Sequence, residues 1–203
     1  MKRLVMAAAV SAALAALAVP AYAALKQGEA APDFKAPASL AGKEFQFSLK
    51  DALKKGPVVV YFYPSAYTGG CNLQAHTFSV NSDKFKAAGA SVIGVSLDKI
   101  ATLNEFSADP EYCAGKLPVA SDADGKIAKS YDVNVMEGRP GFKNTKGVEI
   151  DHGFADRMTF VVTPDGKVAA SFGGREMKPD ENVMKALEVV QGLKGGTMAK
   201  PAA

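Results

Sequence analysis

The alternation of apolar and polar positions divides the chain into short segments of two kinds. Val58 to Tyr63 is an unbroken apolar run, the pattern of a central strand covered on both faces. Ser91 to Ser96 reads as a second buried strand and Leu117 to Ala120 as a short third one. Glu44 to Leu49 alternates, with Phe45 and Phe47 apolar, and predicts another short strand. Helical spacing fills the gaps. Cys71 to Ala88 carries Leu73, Phe78 and Phe85 and stops at Gly89. Ile100, Leu103 and Phe106 share one face of a second helix, with Asp98 as its cap. Ser121 to Gly125 predicts a turn or cap leading into Ile127 to Tyr131. Met158 to Val162 and Lys167 to Phe172 flank Pro164-Asp165-Gly166, a strong hairpin signal. Asp180 to Leu193 is a final helix with Val183, Leu187 and Val190 inward. Ala24 to Phe34 reads as an irregular lead-in, and Asn134 to Phe154 as a long stretch with no assigned structure. A βαβ beginning followed by a hairpin and a helix predicts an α/β fold with a central mixed sheet flanked by helices.

The residues before Ala24 have a different character. Met1-Lys2-Arg3 is a basic start, Leu4 to Val19 is apolar and alanine-rich, and Ala21-Tyr22-Ala23 fits the small-residue cleavage rule. Residues 1–23 are therefore expected to be a signal peptide, cut after Ala23. The apolar run falls short of the ~20 residues of a membrane span, so no stable membrane association is expected after cleavage. The mature protein is then periplasmic or secreted, in an oxidising compartment. Residues 24–193 are expected to form one domain and 194–203 a flexible tail. With 203 residues, 48% of them hydrophobic and 22% charged, the chain supports one well-filled core. Two units of the +3 formal charge belong to Lys2 and Arg3. What remains gives no electrostatic case for nucleic acid, and no block of like charge suggests a membrane-surface patch.

Chemistry centres on Cys71 and Cys113, the two cysteines of the chain. Neither lies in a C-x-x-C pair or in zinc-site spacing, and no motif implies a metal, flavin or nucleotide cofactor. The two form a static staple, act as redox partners, or act independently. Cys71 follows a strand and the turn Pro64-Ser65-Ala66-Tyr67-Thr68-Gly69-Gly70, where a helix should begin. Helix N-termini present unpaired N–H groups and partial positive charge, so a thiol there ionises more easily than its reference value of ~8.5 allows. Thr68 can turn its hydroxyl toward the same point, and Gly69 and Gly70 allow a small substrate to approach closely. His76 and His152 are assigned no role.

Pro64-Ser65-Ala66-Tyr67-Thr68-Gly69-Gly70-Cys71 matches the peroxiredoxin signature Pro-x-x-x-Thr/Ser-x-x-Cys. Ala31-Pro32-Asp33-Phe34, Gly94-Val95-Ser96 with Asp98, Val119-Ala120-Ser121-Asp122 with Gly125, and Arg157 to Val162 with Asp165-Gly166 resemble further blocks of that family. The resemblance runs from about Gly28 to Leu193 and is greatest to the bacterioferritin-comigratory branch. It implies a thioredoxin-like fold, with Cys71 as the peroxidatic cysteine. Thr68 would hold the thiolate and orient the peroxide, Pro64 would shield the pocket, and Arg157 would stabilise developing charge. It further implies a hydroperoxide substrate, a thioredoxin-like dithiol reductant and a monomer or homodimer.

Two positions depart from the pattern. His76 stands five residues after Cys71, where members with a resolving cysteine in the same helix carry it. Gln74 stands where an acidic residue is often found. Cys113 is then the only intramolecular resolving thiol on offer, and reaching it would require a helix turn to unwind. The leading expectation is a thiol peroxidase that passes through a sulfenic acid on Cys71, resolved by Cys113 or an external thiol. An exported thioredoxin-fold binding or holdase module with a structural disulfide, and a thiol–disulfide oxidoreductase, are the alternatives. Absence of C-x-x-C weighs against the last.

Overall fold

The computed structural model describes residues 24–174 and 177–196. The expected signal peptide lies outside the described residues, as do 197–203 of the expected tail. Among the described residues no helix is long and apolar enough to cross a membrane.

The chain begins with a hairpin, β1 (Lys35–Leu40) and β2 (Lys43–Ser48), and then a short helix α1 (Leu49–Leu53). Strand β3 (Val58–Phe62) leads into α2 (Gly69–Val80) and α3 (Ser82–Ala87). Next come β4 (Ser91–Ser96), α4 (Ile100–Ala108), β5 (Val119–Ser121) and α5 (Lys126–Ser130). A small pair, β6 (Val135–Met136) and β7 (Phe154–Ala155), precedes the hairpin β8 (Met158–Val162) and β9 (Val168–Gly173). Helix α6 (Pro179–Gly195) ends the described chain, closed by Gly196 in the left-handed conformation.

Seven strands form one sheet in the order β2-β1-β5-β4-β3-β8-β9. β3, β4 and β5 run parallel; β1 pairs antiparallel with β5, β8 antiparallel with β3, and β9 antiparallel with β8. The sheet is mixed, as the element order predicts. Every residue of β3 is buried because its two faces are covered by different helices. Val59 and Tyr61 pack with Phe78, Phe85, Leu103, Phe106 and Val183. Val58, Val60 and Phe62 pack on the other face with Leu49, Leu53 and Tyr131. Gly94 on β4 lies under the Tyr61 ring, where a Cβ would come 2.6 Å from the phenol oxygen.

Several expectations need correction. The helix predicted over Cys71 to Ala88 is broken at Asn81, whose side-chain amide donates to the Thr77 carbonyl at 2.8 Å and diverts the chain between α2 and α3. Leu73 is exposed, whereas Phe78 and Phe85 enter the core. Asp98 does not cap α4; Lys99 holds that position, and the Asp98 carboxylate turns inward. Strand β1 lies in a segment whose small Ala36 and Ala38 and whose Pro37 left no apolar alternation to read.

Candidate active site

Cys71 lies in the first turn of α2, just beyond the carboxyl ends of parallel strands β3 and β4. Open α/β sheets bind ligands at that end. Thr68 is the N-cap residue in extended conformation, and its carbonyl accepts from Asn72 N–H at 2.8 Å. Its hydroxyl donates to the Ser65 carbonyl at 2.9 Å, so in this arrangement the proton is directed at the turn and not at the sulfur.

Arg157 approaches from the segment between β7 and β8 and donates from Nη2 to Cys71 Sγ at 3.3 Å. Its Nη1 donates to Gln74 Oε1, one helical turn after the cysteine. Gly70 makes room for this: a Cβ there would sit 3.1 Å from Arg157 Nη2 and 3.3 Å from Pro179 Cγ. Cys71 is itself 2% exposed. Beside it a cavity of about 200 Å³ is lined by Pro64, Thr68, Met136, Arg139, Phe142 and Phe154. The sequence placed Pro64 and Thr68 there; the other four come from the stretch 134–154, which carried no periodic signal.

That stretch is a strap over the turn that leads to Cys71. Tyr67 sits in the left-handed region with φ 56°, where a tyrosine costs about 1–3 kcal/mol unless its surroundings fix it. Thr145 does so, donating to the Tyr67 carbonyl from both its backbone N–H and its hydroxyl, at 2.8 and 2.9 Å. Lys146 Nζ lies 3.8 Å above the Tyr67 ring. A second tie runs through Asp98, which is 3% exposed. Its carboxylate accepts from Ser65 Oγ, Ala66 N–H and Ser96 Oγ at 2.9, 2.8 and 2.7 Å. His152 Nε2 lies 3.0 Å from the same group, and Nδ1 lies 2.7 Å from the Gly153 carbonyl.

Both ring nitrogens thus face acceptors. Burial disfavours the charge on each partner, but the bond and charge of Asp98 prevail at His152 and raise its pKa; the reverse interaction lowers that of Asp98. Asp98 and His152 are 54 residues apart in sequence. Ser96-Leu97-Asp98 at a strand end was the one local hint of this pair.

Cys113 lies in the turns after α4, fully buried in the same cluster of side chains as Cys71. Both thiols are free. Burial, with the charge of Asp109 behind it, pushes the Cys113 thiol far above its usual range. His76 Nδ1 donates to the Glu111 carbonyl at 2.9 Å and pins the loop carrying Cys113 to the outside of α2.

The family described as AhpC/TSA matches residues 27–171. Peroxiredoxin Bcp of Escherichia coli K12 is 34% identical over 148 residues, 73% of this chain and 85% of its own. Chloroplastic peroxiredoxin Q of Oryza sativa subsp. japonica is 32% identical over 173 residues, 83% of this chain and 68% of its own. Among solved structures, peroxidoxin BcpB of Mycobacterium tuberculosis superposes with a TM-score of 0.69 at 29% identity, covering 83% of this chain and 98% of its own. The mixed sheet with helices on both faces is accordingly the thioredoxin-like fold of these proteins. The strand, turn and cysteine that opened α2, the arginine that meets it, and a match over most of the chain lead to one conclusion: this protein belongs to the AhpC/TSA family of peroxiredoxins.

Proposed function

We propose that this protein reduces hydrogen peroxide and small alkyl hydroperoxides through Cys71, and the Arg157 Nη2 contact with its sulfur at 3.3 Å carries that reading. The thiolate attacks the terminal peroxide oxygen, the O–O bond breaks, and the departing alkoxide or hydroxide takes up a proton. A sulfenic acid remains on Cys71. Negative charge moves from sulfur to the leaving oxygen, and a guanidinium with the first N–H groups of α2 supplies fixed donors along that path. The apolar walls given by Met136, Phe142 and Phe154 suit a small organic peroxide and limit water. A structure of the Xanthomonas campestris bacterioferritin comigratory protein, 27% identical to this chain with a TM-score of 0.60, concerns alkyl peroxide reduction, which supports this substrate class.

The Cys113 thiol would then attack the sulfenic sulfur, forming a disulfide and releasing water. A thioredoxin-like dithiol would reduce that bond. Because Cys113 is buried and pinned through His76, this step requires the 109–116 loop or the start of α2 to open. The pattern of residues 1–23 supports export to the periplasm or beyond after cleavage at Ala23.

Intact mass, read within seconds of mixing the reduced protein with one equivalent of hydrogen peroxide, tests the scheme. Loss of two hydrogens mapped to Cys71–Cys113 is expected. Cys71→Ser should abolish turnover, and Cys113→Ser should stop at the gain of one oxygen. Continued peroxide turnover by Cys71→Ser would end the proposal.

A further inference from the structure

Arg157 is the visible end of a longer chain of contacts. A guanidinium carries donors and no acceptor. With Nη1 directed at Gln74, that residue must present its carbonyl oxygen, so its Nε2 points the other way and donates to Asn182 Oδ1 at 3.0 Å. Asn182 belongs to α6, is fully buried, and accepts on the same oxygen from the Thr159 hydroxyl at 2.6 Å. Its Nδ2 has no partner among the described residues. Turning the amide over would set N–H against N–H at Gln74. The acceptor therefore stays and the orphaned donor is tolerated, although a buried unpaired N–H is unfavourable.

An aspartate in this place would accept both bonds and leave nothing orphaned. Among the described residues no carboxylate pairs with Arg157, and its contacts are Gln74 and Cys71. The chain from Asn182 to Arg157 is neutral until it reaches the arginine.

We infer that Asn182 is a positioning residue for the peroxidatic centre: its oxygen orients the Gln74 amide, and Gln74 holds Arg157 against the Cys71 sulfur. This rests on the peroxidase reading above. The second-order rate of Cys71 oxidation by hydrogen peroxide, measured by competition with a haem peroxidase, separates the two ideas. Asn182→Ala removes the acceptor and is expected to slow oxidation about 10- to 100-fold, the range for a displaced transition-state donor. Asn182→Asp keeps the acceptor and is expected to recover most of that loss, a rescue that damage to α6 packing alone would not give. Asn182→Ala reacting within twofold of the unsubstituted protein, or Asn182→Asp reacting as slowly as Asn182→Ala, overturns the role of Asn182. Should the unsubstituted protein react no faster than free cysteine, the peroxidase reading itself fails.

Discussion

At the scale of single residues, the site depends on close approaches that leave little slack. Gly70 is the clearest case, since an added methyl would press on Arg157 Nη2 and on the Pro179 ring together. Pro179 is fixed at the first position of α6, so the long arginine side chain yields first. Gly70→Ala should therefore move the guanidinium by a few tenths of an ångström and lower the rate of Cys71 oxidation about two- to tenfold, less than the roughly 100-fold of a full ångström. Its urea midpoint should stay close to that of the unsubstituted protein. Peroxide kinetics and urea titration of the same sample check both halves, and an unchanged rate would mean the guanidinium position is not critical. Cys71, Thr68 and Pro64 were legible because they share one short turn, and Arg157 because a second block resembled the family. Gln74 was noticed only as a departure. Asn182 could not be read as its partner, since 108 residues separate them and an asparagine in an amphipathic helix carries no local signal.

At the scale of elements, the strap between β6 and β7 is held by groups that titrate. His152 has a raised pKa, so relative to an open strap it stabilises fully below ~6.5 and progressively less as pH rises through its folded value. Asp98 has a lowered pKa, so its contribution is full above ~3.9 and is lost as pH falls through its folded value. Lys99, paired with Asp151, and the carboxylate of Glu149 line the same recess as His152, with Lys146 and Glu105 across it. Closure should thus be firmest between about pH 4 and 6.5. Hydrogen exchange at the Thr145 amide, corrected for its intrinsic pH dependence, reads this directly because that N–H bonds Tyr67. Protection should fall at alkaline pH, and His152→Gln should flatten the profile. A flat profile in the unsubstituted protein would remove His152 from the tie. The central strands and α6 were legible because their apolar periodicity is strong. The strap was not, because it is held by polar and backbone bonds that leave no period.

At the scale of the whole molecule, the two cysteines share a core on one face of the sheet, and the proposed Cys71–Cys113 bond would have to disturb that core to form. The hydrogen bond from His76 to Glu111 resists that movement from the outside. A neutral hydrogen bond contributes roughly 0.5–1.5 kcal/mol, so His76→Ala should speed disulfide formation about two- to tenfold while sulfenic acid formation stays unchanged. Rapid-quench mass spectrometry resolves the two steps. Equal rates of disulfide formation with and without the imidazole would show that the loop opens elsewhere. The α/β architecture itself was legible in the order of segments. The gathering of Cys113, His76 and Cys71 into one region was not, for it arises from packing across the sheet's ends.

The reach of α6 into the centre has a consequence for how the protein comes into being. Asn182 and Pro179 are supplied by the last helix described, while Cys71 belongs to the first half of the chain. During synthesis the cysteine emerges long before the element that braces its arginine. A nascent chain would carry the thiol without the bracing inferred above. On that inference, fast reaction with peroxide would wait until α6 has been made and has docked.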